Sequence, residues 1–277
     1  MFVNDRIIFV ELHKTGGTHI GRWLETLIGG QQIGKHNRVP RGLRDRFVIG
    51  SVRNPWDWYV SLFAYGCSGE GSVRRQTTRR VDLAYLWRQL GPEMGMRLPP
   101  MGCIAQQFAS DLRRPVNTWQ QLYKDPTSAE NFREWLGLLF EVTRRLDMGE
   151  GYGFSPVHRW AGLMTYRYFK LFSGLGSRLY FDHSLNQPGA AAKAFEEERL
   201  VRFVIRNEWL EEDLLQALEE AGYALADDKR QELLAGRACK TNASRRLPTS
   251  HYYDQASRDL IAERERLIIQ THGYEPP

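Results

Sequence analysis

The chain has 277 residues, a formal net charge of +5, and 26% charged and 42% hydrophobic residues, proportions typical of a globular protein with a large core. Its three widely spaced cysteines, Cys67, Cys103 and Cys239, argue against a disulfide framework and a zinc cluster. No apolar stretch reaches membrane-spanning length and no signal peptide is evident, so we expect a cytoplasmic protein with reduced thiols. A single Cys67–Cys103 bridge stays open.

The first strong pattern lies near the N-terminus. Ile7 to Leu12 form a short apolar run rich in β-branched residues, which predicts a buried strand. The sequence Lys-Thr-Gly-Gly-Thr follows at 14–18, and apolar residues then recur at helical spacing up to Ile28. A strand, a glycine-containing turn and a helix in this order place backbone N–H groups and the positive end of a helix dipole where an anion can bind.

Each residue of this turn suits an anion. Gly16 and Gly17 let the backbone approach it closely, Lys14 adds a positive charge, and Thr15 and Thr18 add hydroxyl donors. The lysine precedes the glycines, whereas it follows them in the nucleoside triphosphatase pattern G-x-x-x-x-G-K-[ST]. The alternative is an ordinary strand-to-helix turn with a solvated lysine.

A second strand-to-helix junction follows. Residues 47–53 predict a strand, and Asn54-Pro55 predicts a helix N-terminus. Arg53 then lies at the end of the strand and Ser61 lies two turns into the helix, so both could reach one anion beside the first loop. The alternative is that Arg53 pairs with a surface carboxylate and Ser61 is solvated.

The remaining pattern predicts further elements in chain order. Exposed or mobile loops are expected at 30–46, 66–82 and 227–250, and a strand at 201–206. Helices are expected at 83–90, 104–112, 128–146 (capped by Ser128), 158–173, 209–221 (ended by Gly222) and 254–271 (capped by Asp254, ended by Gly273). The aromatic segment 158–173 is either a core helix or the wall of an acceptor site. Strand–helix alternation around an anion loop favours a parallel sheet with flanking helices.

Taken together, the two junctions resemble the sulfotransferases that use 3′-phosphoadenosine 5′-phosphosulfate (PAPS). The resemblance rests on Lys14-Thr15-Gly16-Gly17-Thr18 and on Arg53-Asn54-Pro55-Trp56, with Ser61 eight residues after Arg53. It extends to 201–210, to the loop 240–245 and to 252–274, and is poor in the middle of the chain. It implies one sulfotransferase domain over 1–277, with a P-loop-type three-layer α/β fold in which helices flank a central parallel sheet.

The resemblance also implies an activity and a set of site residues. The activity is transfer of a sulfuryl group from PAPS to an acceptor hydroxyl, leaving 3′,5′-bisphosphoadenosine (PAP), without a metal. A carbohydrate is the expected acceptor; a lipid, a peptide tyrosine and a small metabolite stay open. The implied roles are charge neutralisation by Lys14, 5′-phosphate binding by Thr15, Gly16, Gly17 and Thr18, 3′-phosphate binding by Arg53 and Ser61, and nucleotide closure by Asn242 and Ser244.

An acceptor hydroxyl also needs a general base. The sequence offers a small set of candidates, of which His36 and His158 rank first: His13, His19, His36, His158 and Glu11. His36 precedes the second predicted strand, and His158 begins the aromatic segment.

Three rival functions remain open. A P-loop small-molecule kinase using ATP and magnesium would need an acidic residue at a strand end, and neither Glu11 nor Asp57 is convincingly placed. A nucleic-acid-binding module is disfavoured because the basic residues are dispersed and no recognition motif is present. An inactive nucleotide-binding relative is disfavoured by Lys14.

Overall fold

A computed structural model describes residues 1–236 and 246–277 and shows an α/β fold. The strands are β1 (Phe2–Val3), β2 (Ile7–Val10), β3 (Gln31–Gln32), β4 (Phe47–Val52) and β5 (Phe203–Arg206). The α-helices of the described ranges are α1 (Gly17–Ile28), α2 (Pro55–Cys67), α3 (Ser72–Thr78), α4 (Leu83–Arg88), α5 (Leu90–Glu93), α6 (Met101–Leu112), α7 (Val116–Leu122), α8 (Ala129–Phe140), α9 (Leu163–Phe172), α10 (Arg178–Phe181), α11 (Pro188–Glu197), α12 (Leu210–Glu220), α13 (Asp227–Ala235), α14 (Thr249–Tyr252), α15 (Gln255–Arg264) and α16 (Arg266–His272).

The strands form one mixed sheet in the order β3-β1-β2-β4-β5. Strands β2, β4 and β5 are parallel, with Ile8 opposite Val48 and Gly50 opposite Val204. Strand β1 is antiparallel to both β2 and β3. The predicted parallel arrangement therefore holds for the three strands that precede α1, α2 and α12, and the sheet as a whole is mixed.

Contacts divide the chain into two compact units. The first comprises Met1–Asn54, Arg167–Gly174 and the described part of Glu196–Ala243, and it contains the whole sheet. Its core is apolar and forms where α1 and α12 pack on the strands. The core includes Ile7, Phe9, Ile20, Leu24, Ile49, Ile205, Leu214 and Leu218.

The second unit comprises Pro55–Tyr166, Leu175–Phe195 and the described part of Ser244–Pro277. Its core is rich in aromatic rings: Phe63 lies 5.5 Å from Trp135 between ring centroids, and Phe132 lies 5.0 Å from Tyr253. The Trp135 indole donates to the Tyr123 hydroxyl at 2.7 Å, which satisfies a buried polar group inside this cluster. The single domain predicted over 1–277 stays a prediction.

Several predicted helix ends are confirmed. Helix α2 begins at Pro55. Ser128 caps α8 by accepting from the Asn131 amide at 3.1 Å, and Asp254 caps α15 in a capping box with Ser257. The helix predicted over 254–271 is divided into α15 and α16 at Glu265, whose side chain is fully buried.

Three predicted loops were wrong in part. Residues 30–46 include β3, residues 66–82 include α3, and residues 227–250 include α13 and α14. These elements bury few side chains. In α3 only Val73 and Thr77 are buried, and in α13 only Leu233. One or two buried residues leave no hydrophobic period in the sequence to detect.

The aromatic segment forms helix α9, and its rings lie in the core rather than at an open wall. Tyr166, Tyr168, Phe169 and Phe172 are each at most 1% exposed.

In the described ranges, no helix is both long and apolar enough to cross a membrane. Cys67 and Cys103 are free thiols, and burial raises the pKa of Cys67 to about 12, so that thiol stays protonated. Cys239 lies outside the described residues.

Candidate anion site at the carboxyl ends of the strands

The first unit gathers polar residues at one edge of its sheet. The parallel strands β2, β4 and β5 end at the same edge, where ligands commonly bind in open α/β sheets. The segments that leave this edge are 11–16, 53–54 and 207–209. Bonds between the segments hold them together: the Asn54 amide donates to Glu208 Oε1 at 2.7 Å, and Arg53 Nη1 donates to the Lys14 carbonyl at 3.2 Å.

The loop after β2 has the conformation of an anion-binding turn. Lys14 and Gly16 both adopt left-handed backbone angles, with φ of 61° and 82°. Helix α1 then begins at Gly17, and Gly16 caps it without a side-chain hydrogen bond. The backbone N–H groups of 16–18 find no acceptor among the described residues. They are the first donors of a helix N-terminus, where partial positive charge collects.

Neighbouring side chains crowd the space that a Cβ would occupy at positions 16 and 17. A Cβ on Gly16 would lie 2.8 Å from Leu210 Cδ1 and 2.9 Å from Asn207 Oδ1, in addition to the cost of its left-handed φ. A Cβ on Gly17 would lie 2.9 Å from Glu11 Cγ. Close packing of this loop on the segments after β2 and β5 therefore leaves little room for a side chain at positions 16 and 17.

Two cationic side chains belong to this edge. Lys14 lies in the loop itself, and Arg53 contacts the Lys14 backbone through its guanidinium. Both residues are partly exposed. This contact places the Arg53 guanidinium beside the first loop; that Arg53 and Ser61 reach one anion there stays a prediction.

Thr15 differs from the expectation that its hydroxyl binds an anion. The side chain is fully buried; its Oγ1 lies 2.8 Å from the Leu12 carbonyl and 2.7 Å from Ser51 Oγ. The hydroxyl therefore fastens the loop to β4 and is not presented to solvent. Thr18 is exposed on the first turn of α1.

His36 comes close to the same loop through a ring stack. Its ring lies 3.5 Å from that of His13 between centroids, at an interplanar angle of 14°, and His13 precedes Lys14. His36 Nδ1 lies 3.0 Å from the Glu11 carbonyl. His36 has a left-handed φ of 55°, a conformation that costs energy in a residue with a Cβ and often marks functional positions.

The other candidate bases of the first unit have structural roles. Glu11 is 3% exposed and accepts from Gln32 Nε2 at 2.6 Å. His19 lies 3.2 Å from Glu211 and accepts from the Trp23 indole at 3.0 Å. These contacts place both side chains in the framework of the site.

The remaining predicted site residues lie elsewhere in the chain. Ser61 is on α2 in the second unit, 3% exposed, and its hydroxyl makes no hydrogen bond with a described residue. His158 is also in the second unit; its Nδ1 lies 2.6 Å from the Ser155 carbonyl, and burial lowers its pKa. Asn242 and Ser244 lie outside the described residues.

Sequence reasoning missed Ser51, Asn207 and Glu208: Ser51 bonds the Thr15 hydroxyl, Asn207 lies beside Gly16, and Glu208 accepts from the Asn54 amide. The signal was available for the latter two, because they lie between the predicted strand at 201–206 and the predicted helix at 209–221. Like Arg53, they follow a strand, and the carboxyl ends of parallel strands meet at one edge of the sheet. Comparisons of the chain with protein-family models, with curated proteins and with solved structures find no match.

Proposed function

We propose that the chain is a PAPS-dependent sulfotransferase that moves a sulfuryl group to an acceptor hydroxyl on a carbohydrate by in-line displacement. The observation that supports this most is the contact of Arg53 with the Lys14 backbone at a helix N-terminus whose leading amides lack acceptors within the described chain. Two cations and a row of amides match a donor that carries several negative charges.

Charge placement supports specific roles at this site. The amides of 16–18 hold the 5′-phosphate, and Lys14 neutralises the negative charge that develops on the bridging oxygen as the S–O bond breaks. Arg53 holds the 3′-phosphate. When bound, PAPS supplies the activated sulfuryl group. Preorganised donors of this kind are the main source of catalysis where little covalent chemistry falls to the protein.

His36 is the general base of this proposal. A carbonyl oxygen only accepts, so the short contact with the Glu11 carbonyl assigns the ring proton to Nδ1. In the neutral ring the lone pair is then on Nε2, the nitrogen from which His36 would act as the base. The stack on His13 fixes the plane of the ring beside the loop.

Other parts of the proposal come from the sequence resemblance. They are the pairing of Ser61 with Arg53 on the 3′-phosphate, closure by Asn242 and Ser244, the carbohydrate acceptor, and the P-loop-type three-layer arrangement. A cytoplasmic location is also proposed; the free thiols of Cys67 and Cys103 accord with a reducing compartment.

The test is transfer of radiolabelled sulfuryl groups from PAPS to a panel of oligosaccharides, with a phenol and a tyrosine peptide included. We expect label on an oligosaccharide with wild-type protein, and about a hundred-fold less with His36→Ala, since a positioned base contributes roughly 10²–10⁴-fold. His158→Ala should behave as wild type. Loss of transfer in His158→Ala alone would move the base to the second unit.

A parallel reaction with ATP and magnesium addresses the kinase alternative. Phosphorylation of the same panel from ATP, without sulfuryl transfer from PAPS, would contradict the proposal and favour the kinase.

A further inference from the structure

The second unit contains a cavity that the proposed function does not use. It has a volume of about 450 Å³ and lies between the end of α8, the 3₁₀ turns at 142–159 and the end of α15. Apolar side chains form part of its wall: Leu139, Phe140, Val142 and Phe154. The volume is in the range of sites that bind small molecules, roughly 300–1,000 Å³.

The charged groups of the cavity are strongly unbalanced. Three arginines line it, Arg145, Arg159 and Arg264, against one carboxylate, Glu141. In the described chain none of these arginines forms an ion pair with a carboxylate, and the remaining residues, 237–245, include no Asp or Glu. The cavity therefore keeps its positive charge.

Neutral groups hold two of these arginines in place. Arg264 donates to the carbonyls of His158 at 2.6 Å, Arg159 at 3.1 Å and Ala161 at 3.1 Å, and its guanidinium carbon lies 5.3 Å from the centre of the Phe140 ring. Arg145 donates to the Gly153 carbonyl at 3.2 Å and the Val142 carbonyl at 3.0 Å. Carbonyl partners orient a guanidinium without cancelling its charge.

His158 lines the same cavity, and its pKa reflects burial and the positive charge of the arginines. Burial lowers its pKa, and Arg145, Arg159 and Arg264 lower it further, while the Ser155 carbonyl opposes the shift. The imidazole is therefore neutral at pH 7, and the arginines carry the local charge. Tyr152 also lines the cavity; burial raises its pKa to about 12, so it stays protonated.

We propose that this cavity binds a small organic anion, a carboxylate on an aromatic or other apolar body. The arginines match the carboxylate and the apolar wall matches the body, because hydrogen bonds between a guanidinium and a carboxylate are charge-assisted and stronger than neutral ones. Arg145 and Arg264 are partly buried, and Arg159 is exposed. This site is separate from the proposed sulfuryl-transfer site in the first unit and does not depend on that function.

The test is a fluorine NMR titration of the full chain with 4-(trifluoromethyl)benzoate. The neutral 4-(trifluoromethyl)benzamide has the same shape and serves as the uncharged probe. We expect saturable binding of the benzoate, and at least about tenfold weaker binding of the amide, the change that a charged hydrogen bond provides. Equal binding of both probes, or no binding of the benzoate, would overturn the proposal.

Variants locate the binding site. Arg145→Gln should weaken benzoate binding about tenfold. Arg159→Gln is a second test with less risk to folding, because the Arg159 side chain makes no hydrogen bond with a described residue. Arg97→Gln, an exposed arginine of the same unit, is the matched control and should bind as wild type. Wild-type affinity in both cavity variants would place the probe elsewhere.

The pH dependence gives an independent check. An anion favours protonated His158, so benzoate affinity should rise as pH falls through the lowered pKa of that imidazole. Of the other ionisable groups that line the cavity, Arg145, Arg159 and Arg264 keep their charge and Tyr152 stays protonated over this range. The same titration in Glu141→Gln removes the contribution of the remaining carboxylate. A pH-independent affinity in wild-type protein would contradict a site next to His158.

Discussion

Lys14→Ala is expected to lower kcat for sulfuryl transfer by about 10²–10³-fold, the usual effect of removing one preorganised group that stabilises developing charge. Lys14 lies at a left-handed position of the anion loop, next to Gly16 and the start of α1. Its backbone carbonyl also accepts a hydrogen bond from Arg53, which places the guanidinium beside the loop that carries Lys14. Because the negative charge grows as the S–O bond breaks, the loss should appear mainly in kcat and less in the KM for PAPS.

The matched control is Lys229→Ala. Lys229 lies in the same unit but is exposed and pairs with Glu232, so removal should leave the transfer rate unchanged. The measurement is initial-rate kinetics with PAPS and the best oligosaccharide of the panel. A Lys14→Ala variant that is folded and turns over within threefold of wild type would remove Lys14 from the reaction.

Glu265→Ala is expected to lower the free energy of unfolding by about 4 kcal/mol or more, because it leaves four buried donors without their acceptor and each such loss costs roughly 1–3 kcal/mol. Glu265 is fully buried in the second unit. Its Oε1 accepts from the Tyr59 hydroxyl at 2.5 Å and the Met164 amide at 3.1 Å. Its Oε2 accepts from the Thr165 amide at 2.8 Å and hydroxyl at 2.6 Å.

This carboxylate acts as the N-terminal cap of α9. Met164 and Thr165 are in the first turn of that helix, and their amides are donors that an α-helix cannot satisfy itself. Burial raises the pKa of Glu265, and the four donors oppose that rise. The side chain thus connects the break between α15 and α16 to the start of a helix about a hundred residues earlier.

Chemical denaturation followed by circular dichroism measures the effect. Glu263→Ala is the matched control, an exposed glutamate on α15, and should change stability by less than about 0.5 kcal/mol. If Glu265→Ala unfolds at the same denaturant concentration as that control, the buried carboxylate does not stabilise the second unit.

The elements predicted best are those with a strong local signal. The strand at Ile7, the turn at Gly16 and Gly17, and helix α1 follow from an apolar run, two glycines and a regular hydrophobic stripe, all within 7–28. The helix start at Pro55 follows from proline at the first helical position. Helices α3 and α13 gave no such signal, because their sequences are polar and bury only one or two residues.

The candidate site likewise contains residues that a local sequence signal predicts and contacts that no local signal predicts. Lys14 and Arg53 were predictable because each follows a predicted strand, and the ends of parallel strands share one edge. The stack of His13 on His36 was not, because it joins residues whose proximity depends on the path of the intervening chain. The buried hydroxyl of Thr15 depends on Ser51, a partner on a different strand that no local pattern identifies.

The proposed function depends above all on recognition of the 3′-phosphorylated nucleotide of PAPS by the first unit. Calorimetric titration with PAP tests it most directly, using wild-type protein, Arg53→Ala, and Arg41→Ala as an exposed-arginine control from the same unit. We predict saturable PAP binding that Arg53→Ala weakens at least tenfold, that Arg41→Ala leaves unchanged, and that ATP and AMP do not reproduce. Folded wild-type protein that does not bind PAP, or that prefers ATP with magnesium, would contradict the proposed function.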